Sequence, residues 1–243
     1  MTDALSMIMI DHDGTFATGP ELRNRDVLQS IVDTFREKAE ISQKLMIDWS
    51  IVAGQAETRI YDWIVNNLFP GMRDLITSSD FRDMAKAGYD SQQADCTPRD
   101  GMIQLLKEFG DKGIPTCLVS NSDKFPIHDS LERGVASNGH CIDTLFPIIV
   151  TADEIRCHGK KKKPSGDPYR LALELYNKKF GTNFTPDQLA ILEDSPTGAE
   201  AGLDTTGKNS RVIQFVDYTP PSNSAGHHIR TVPECRDILL GLC

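Results

Sequence analysis

Met7-Ile8-Met9-Ile10-Asp11-His12-Asp13-Gly14-Thr15 is the stretch on which the reading of this sequence turns. Four apolar residues in a row, ended by an acid, read as a short strand buried on both faces. Two acids then stand two apart at the strand's end, where they can share one site. A carboxylate there can be a nucleophile or a metal ligand, and a second one can give and take a proton. Gly14 lets the backbone turn sharply out of the strand. Asp-Gly pairs also occur in plain solvated turns, so the stretch needs support from elsewhere in the chain.

Other short apolar runs supply it. Residues 115–119 run into Ser120-Asn121, and residues 146–150 into Thr151-Ala152-Asp153. Residues 189–192 run into Glu193-Asp194, and residues 211–216 into Asp217. Short continuous runs alternating with amphipathic stretches predict buried strands of a parallel sheet. Met102, Leu105, Leu106 and Phe109 recur at helical spacing and stop at Gly110 and Gly113, with Thr97-Pro98 as a capped start. Thr185-Pro186-Asp187-Gln188 is a second capping-type start. In an open parallel sheet, ligands gather at the carboxyl ends of the strands, where Asp11, Asp13, Ser120, Asn121, Glu193 and Asp194 all fall.

Residues from about 24 to 92 have a different texture. Val27, Leu28, Ile31, Val32 and Phe35 recur with a helix period, as do Ile60, Tyr61, Ile64, Val65 and Leu68. No strand-like run of comparable quality interrupts them. The expectation is an all-helical insert, residues 19–93, in a core made of residues 1–18 and 94–243.

Composition narrows the function classes. The 243 residues are 39% hydrophobic and 25% charged, which fits a folded chain with a substantial core. Formal net charge is −9, so general binding of nucleic acid or anionic membrane is not expected, and phosphate handling needs a local cation. No run of about 18 apolar residues predicts a membrane span, and residues 7–10 are too short for a signal segment. None of the six cysteines forms a CxxC or Cys/His pattern, so reduced thiols in a cytoplasmic protein are expected. His227-His228 reads as loop, without a metal role. Residues 202–209 nearly fit a phosphate-binding loop, but Asn209 stands where Ser or Thr is needed and a helical stretch precedes; they read as a helix end.

The opening stretch resembles motif I of the haloacid dehalogenase superfamily, an apolar strand followed by DxDGT. Leu118-Val119-Ser120-Asn121 resembles motif II, and Lys163-Pro164-Ser165-Gly166-Asp167-Pro168-Tyr169 is similar to motif III. Leu192-Glu193-Asp194-Ser195-Pro196-Thr197-Gly198 resembles motif IV. The order of the four, and a helical insert between the first two, match the subgroup containing β-phosphoglucomutase, phosphoglycolate phosphatase and small sugar-phosphate phosphatases. The implied fold class is α/β: a Rossmann-like parallel-sheet core with helices on both faces, plus a small all-helical cap inserted after the first strand.

The resemblance also implies roles. Asp11 would attack phosphorus and form an aspartyl-phosphate. Asp13 would protonate the leaving oxygen and then activate water. Mg²⁺ would be held by Asp11, the Asp13 backbone carbonyl and Asp194, with Glu193 as a further ligand. Lys163 would neutralise the nucleophile and the phosphoryl oxygens; Lys160, Lys161 and Lys162 read as a solvated run. Ser120 and the backbone near His12 and Asn121 would donate to the phosphoryl group. His12 stands where the family mostly carries an apolar residue, so its ring either packs beside the cap or touches substrate, and packing is favoured. Arg23, Gln55, Glu57 and Arg59 are the substrate-reading candidates in the cap.

Asp13 argues against a dehalogenase, and the lack of lysine between Leu45 and Ala85 argues against a phosphonatase. Arg23 and Gly19 stand where the mutase pattern needs His and Thr. The expected function is a Mg²⁺-dependent phosphatase of a small phosphorylated metabolite, as monomer or weak homodimer, with neither nucleic acid nor membrane as partner. The alternatives are a phosphomutase and a non-enzymatic binding protein on the same fold.

Overall fold

A computed structural model describes residues 4–18, 20–52, 57–72, 76–91, 97–217 and 219–243. The chain divides into two compact units, Met1–Thr18 with Cys96–Cys243, and Gly19–Asp95.

In chain order, β1 (Met7–Ile10) and β2 (Ala17–Thr18) lead into the second unit, which holds α1 (Pro20–Lys38), α2 (Trp49–Val52), α3 (Glu57–Leu68) and α4 (Ser78–Ser91). The first unit resumes with β3 (Thr97–Pro98), α5 (Met102–Asp111), β4 (Thr116–Val119), α6 (Lys124–Gly134), α7 (Ile142–Leu145) and β5 (Ile148–Val150). It closes with α8 (Ala152–Cys157), α9 (Asp167–Phe180), β6 (Leu189–Glu193), α10 (Pro196–Thr206), β7 (Val212–Phe215), β8 (His227–Ile229) and α11 (Val232–Leu242).

Six strands form one sheet in the order β5-β4-β1-β6-β7-β8, with every neighbouring pair parallel. The period of two along each strand sorts its side chains to two faces. Ile8, Ile10, Leu118, Leu192 and Phe215 join one apolar cluster with Leu105, Leu106 and Phe109 of α5, Leu131 of α6 and Leu239 of α11. Met7, Met9, Cys117, Val119 and Ile191 join another with Ile155 of α8, Tyr169 and Ala172 of α9 and Ala201 of α10. Helices therefore cover both faces, which is why β1 is wholly apolar and all four of its residues are fully buried.

The second unit has its own core. Val27, Leu28, Ile31, Val32 and Phe35 of α1 pack with Tyr61, Ile64 and Val65 of α3 and Phe81 and Ala85 of α4. The Phe35 and Phe81 ring centres lie 4.9 Å apart. The Gln29 amide bonds the Leu45 carbonyl at 2.9 Å and accepts from the Ile47 amide at 3.2 Å, pinning the chain between α1 and α2.

Two local readings are corrected. Thr97-Pro98 does not cap a helix. It pairs antiparallel with Ala17-Thr18, and α5 begins four residues after Pro98, behind Gly101 at φ 77°. A threonine followed by proline is as good a strand partner at a ribbon edge as a helix start, because proline's missing donor can face away from the pairing. His227-His228 is not loop either. With Ile229 it forms β8, the sheet's edge strand on β7, where only one neighbour has to be matched and polar residues are tolerated. The 202–209 stretch behaves as expected: α10 ends at Thr206 and Gly207 follows as its C-cap.

No helix among the described residues is long and apolar enough to cross a membrane. The five described cysteines are free, and burial pushes the Cys117 and Cys235 thiols up to about 12.

Candidate active site

The carboxyl ends of the three middle strands bring the candidate residues together. Asp11 follows β1, Ser120 and Asn121 follow β4, and Glu193 ends β6 with Asp194 next. From β1 the strand order runs to β4 and β5 on one side and to β6, β7 and β8 on the other. Such a switch point is where open parallel sheets bind ligands.

Lys163 is the hub of the site. Its Nζ donates to Asp11 Oδ1 at 2.6 Å, to Glu193 Oε1 at 2.6 Å and to the Val119 carbonyl at 2.9 Å. An ammonium has three protons, so all of them are engaged. The Nζ also lies 4.9 Å from the centre of the Tyr169 ring, and the Tyr169 hydroxyl donates to the same Glu193 oxygen. Of the two duties expected of Lys163, the structure displays the one toward the Asp11 carboxylate. Lys160, Lys161 and Lys162 are exposed, and the Lys162 Nζ rests on the Asn121 carbonyl at 3.0 Å.

Glu193 is fully buried and turned inward. Beyond Lys163 and Tyr169, its Oε2 accepts from the Asp194 amide at 3.3 Å and the Ser195 hydroxyl at 3.4 Å. It therefore seats the lysine. Asn121 grips the lysine from the other side. Its Oδ1 accepts from the Lys163 amide at 3.1 Å and its Nδ2 donates to the Lys163 carbonyl at 3.3 Å. The Asn121 side chain is thus spent on the backbone of Lys163. The Ser120 hydroxyl accepts from the Ser122 amide at 3.0 Å, and its own amide donates to the Val150 carbonyl within the sheet.

Asp13 is the most open of the acids, with its side chain about one third exposed. Ser122 Oγ donates to its Oδ2 at 2.7 Å, and His12 Nδ1 meets its Oδ1 at 2.9 Å. The other ring nitrogen of His12 meets Ser130 Oγ at 3.1 Å, and the ring is 1% exposed. The His12 ring is packed within the sheet unit, where its two nitrogens meet Asp13 and Ser130.

The electrostatics follow from burial. Burial pushes the Asp11 carboxyl well above the usual carboxylate range; Lys163 opposes this, and Glu193 and Asp13 add to it. Burial pushes Lys163 down, but Asp11 and Glu193 more than offset it and hold it as an ammonium. Three buried acids, Asp11, Glu193 and Asp194, thus cluster here, and one buried ammonium pairs with the first two. Each offers an oxygen, and these lie within 4.8 Å of one another. Hard oxygen donors with uncompensated negative charge fit a divalent cation of the Mg²⁺ or Ca²⁺ kind.

Gly14 has φ +85°, and a Cβ there would lie 2.4 Å from Asp194 Oδ2. The motif I turn therefore closes directly onto the motif IV acid, and Thr15 Oγ1 lies 3.5 Å from Asp194 Oδ1. Gly14→Ala is expected to cost roughly 1–3 kcal/mol from the left-handed backbone alone, with Asp194 displaced besides. A urea melt of the variant measures it; an unchanged midpoint would contradict this packing.

A family model described as haloacid dehalogenase-like hydrolase matches residues 7–204. The chain belongs to this family. This haloacid dehalogenase-like hydrolase is 34% identical over 101 residues to a Saccharomyces cerevisiae protein named as a probable pseudouridine-5'-phosphatase. That match covers 42% of the chain and only 41% of the yeast protein. Among solved structures, it is similar to a HAD family hydrolase of Deinococcus radiodurans with bound phosphate and sodium, at TM-score 0.66 and 18% identity over 98% of this chain and 96% of that one. It is also similar to CbbY of Rhodobacter sphaeroides in complex with phosphate, at TM-score 0.64 and 21% identity over 93% and 94%. At these identities the two structures show the fold.

Of the hydrolase's expected substrate readers, Gln55 lies outside the described residues, and so do the side chains of Arg23, Glu57 and Arg59. Residues the sequence did not single out are Tyr169 and Ser122, which fix Glu193 and Asp13, and Gln214, whose Nε2 donates to the Asp194 carbonyl at 2.9 Å. Tyr169 closes the quoted motif III stretch, and a helix-spaced aromatic there carries no mark of the buried hydroxyl bond.

Proposed function

We propose that this hydrolase is a Mg²⁺-dependent phosphatase of a small phosphorylated metabolite (a sugar, polyol or glycolate phosphate) and works through an aspartyl-phosphate on Asp11. The observation that carries the reading is the Asp11 carboxylate held by Lys163 at 2.6 Å, with a second carboxylate, Asp13, two residues on and partly open.

In the first step Asp11 Oδ2 attacks phosphorus, since Oδ1 is taken by Lys163. The ester P–O bond breaks, and protonated Asp13 gives its proton to the leaving alkoxide. Asp13, now a carboxylate, takes a proton from water as the water oxygen attacks phosphorus. The bond to Asp11 breaks, and inorganic phosphate and the free Asp11 carboxylate result. Ser122 and His12 hold the Asp13 carboxyl for both transfers. Lys163 stays an ammonium throughout and limits charge build-up beside Asp11. Asp11, Asp194 and the Asp13 backbone carbonyl would hold Mg²⁺; when bound, the ion neutralises the carboxylates and the phosphoryl oxygens. Glu193, occupied by Lys163, Tyr169, Ser195 and the Asp194 amide, is assigned to seating the lysine rather than to the ion.

Phosphate release from a panel of phosphomonoesters tests the reading. The panel spans sugar, polyol and glycolate phosphates, together with nucleoside 5'-phosphates because of the yeast relative's name. Turnover is expected with Mg²⁺, is lost on adding EDTA, and returns when Mg²⁺ is restored. Phosphorylated Asp11 without phosphate release would favour a phosphomutase, and Arg23, Gln55 and Arg59 would be the first residues to vary. Neither phosphorylation nor release from any ester would overturn the phosphatase reading in favour of a binding role.

A further inference from the structure

Arg99 follows β3, in the stretch where the chain has returned to the sheet unit, and it is only 9% exposed. Its bonds converge on one place. The backbone amide donates to the Phe16 carbonyl at 2.7 Å, Nε to the Thr15 carbonyl at 3.2 Å, and Nη2 to the Gly14 carbonyl at 2.5 Å. One residue thus satisfies three consecutive carbonyls of the loop that begins immediately after Asp13. Nη1 pairs with Asp217 Oδ2 at 2.5 Å, and the guanidinium lies 4.2 Å from the centre of the Phe215 ring. The carboxylate at the end of β7 supplies the counter-charge, and the ring supplies the floor. Such a group is costly to bury unless it is bonded, and here each of its three nitrogens has a partner.

We infer that Arg99 is a positioning residue for the reaction: it fixes the Gly14–Thr15–Phe16 loop and, through that loop, the place of the Asp13 carboxyl. Apart from the Thr15 hydroxyl, 3.5 Å from Asp194 Oδ1, the loop's other bonds are local. The Phe16 amide donates to the Asp11 carbonyl at 3.1 Å, the Ala17 amide to the His12 carbonyl at 2.9 Å, and the Gly14 amide to the Ala17 carbonyl at 2.9 Å. These close the loop on itself, the buried Phe16 ring anchors it in the core, and Arg99 holds its three outward carbonyls. The planar fork of a guanidinium holds the two neighbouring carbonyls in one fixed geometry while its third nitrogen pairs with Asp217, an arrangement that a compact lysine ammonium on a flexible stem does not reproduce. A displacement of about 1 Å at a proton-transferring group costs on the order of a hundredfold in rate, so such a tie matters to chemistry more than to binding.

The rate effect rests on the phosphatase reading; the loop effect does not, and the experiment separates the two. Amide hydrogen exchange and steady-state kinetics are measured on the wild type, Arg99→Gln, Arg99→Lys, Arg99→Ala and Asp217→Asn. In Arg99→Gln, exchange is expected to quicken by about tenfold or more at Phe16 and Ala17, while Ile8, Met9 and Leu118 keep their rates. Turnover should fall by about ten- to a hundredfold with KM little changed. Arg99→Lys should recover only part of both effects, and millimolar guanidinium added to Arg99→Ala should restore both. Asp217→Asn retains the guanidinium and should loosen the same amides less, which keeps the test open if an Arg99 variant does not fold. Unchanged loop amides, equal quickening across the sheet, or an unchanged turnover despite a loosened loop would overturn the inference. A wild type without turnover would instead remove the phosphatase reading, and the exchange data would still decide whether Arg99 ties the loop.

Discussion

Asp11→Asn is expected to lower turnover by at least about a thousandfold without unfolding the protein. The amide is nearly the same size as the carboxylate and can still accept a hydrogen bond from Lys163, so the packing around β1 has no reason to change. What disappears is the nucleophile. The stability change has the opposite sign from that of an ordinary core substitution. Asp11, Glu193 and Asp194 gather three buried carboxyl groups with oxygens within 4.8 Å of one another, one ammonium bonds the first two, and burial already pushes the Asp11 carboxyl up. Replacing one of them by a neutral group relieves that excess. In metal-free buffer the variant should therefore melt at the wild-type temperature or above it. Kinetics and a thermal melt on the same preparation check both halves. Loss of activity together with a clear fall in melting temperature would mean that Asp11 is structural.

Lys163→Met should lose turnover and also lose stability, by about 3–5 kcal/mol. Among the described residues the ammonium is the only cation bonded to both Asp11 and Glu193, each at 2.6 Å, and the Glu193 side chain is almost entirely buried. Removing the lysine leaves those carboxylates desolvated with no cation to offset them, and methionine fills the space without answering the charge. The double variant Lys163→Met with Glu193→Gln isolates the cause. It should be more stable than Lys163→Met alone, because the unpaired buried charge at Glu193 has gone while its bonds to Tyr169 and Ser195 remain available. Urea melts of the two single variants and the double variant measure the coupling. Strict additivity would contradict a charge-pair account of this site.

The parts of the molecule that were legible in the sequence are those where one physical demand fixes the residue type. β1 must be apolar on both faces because helices cover both, so Met7 to Ile10 read as a buried strand without ambiguity. Asp11, Lys163, Glu193 and Asp194 stand at the ends of such runs or in a motif; the structure bonds Lys163 to Asp11 and Glu193 and sets oxygens of the three acids within 4.8 Å of one another. β8 was hidden because an edge strand need satisfy only one neighbour, and His227-His228 carries no apolar signature. The β2–β3 ribbon was hidden because two residues are too few to show a period. The partners of known site residues were hidden for a different reason. Nothing in the letters Asn121 or His12 says whether the side chain faces a ligand or a neighbour; only the fold brings Asn121 onto the backbone of Lys163 and His12 between Asp13 and Ser130. Arg99, which takes three carbonyls of one loop, likewise acquires its meaning only when residues 14–16 are folded beside it.

The central claim is that Asp11 carries the phosphoryl group between substrate and water. The most direct measurement is to quench the enzyme in acid during turnover of its best ester and to map the phosphoryl group by peptide mass spectrometry. The account predicts it on the peptide containing Asp11 and nowhere else, with no such adduct in Asp11→Asn. Phosphate released in steady turnover with Asp11 never phosphorylated, or by Asp11→Asn at an undiminished rate, would contradict it.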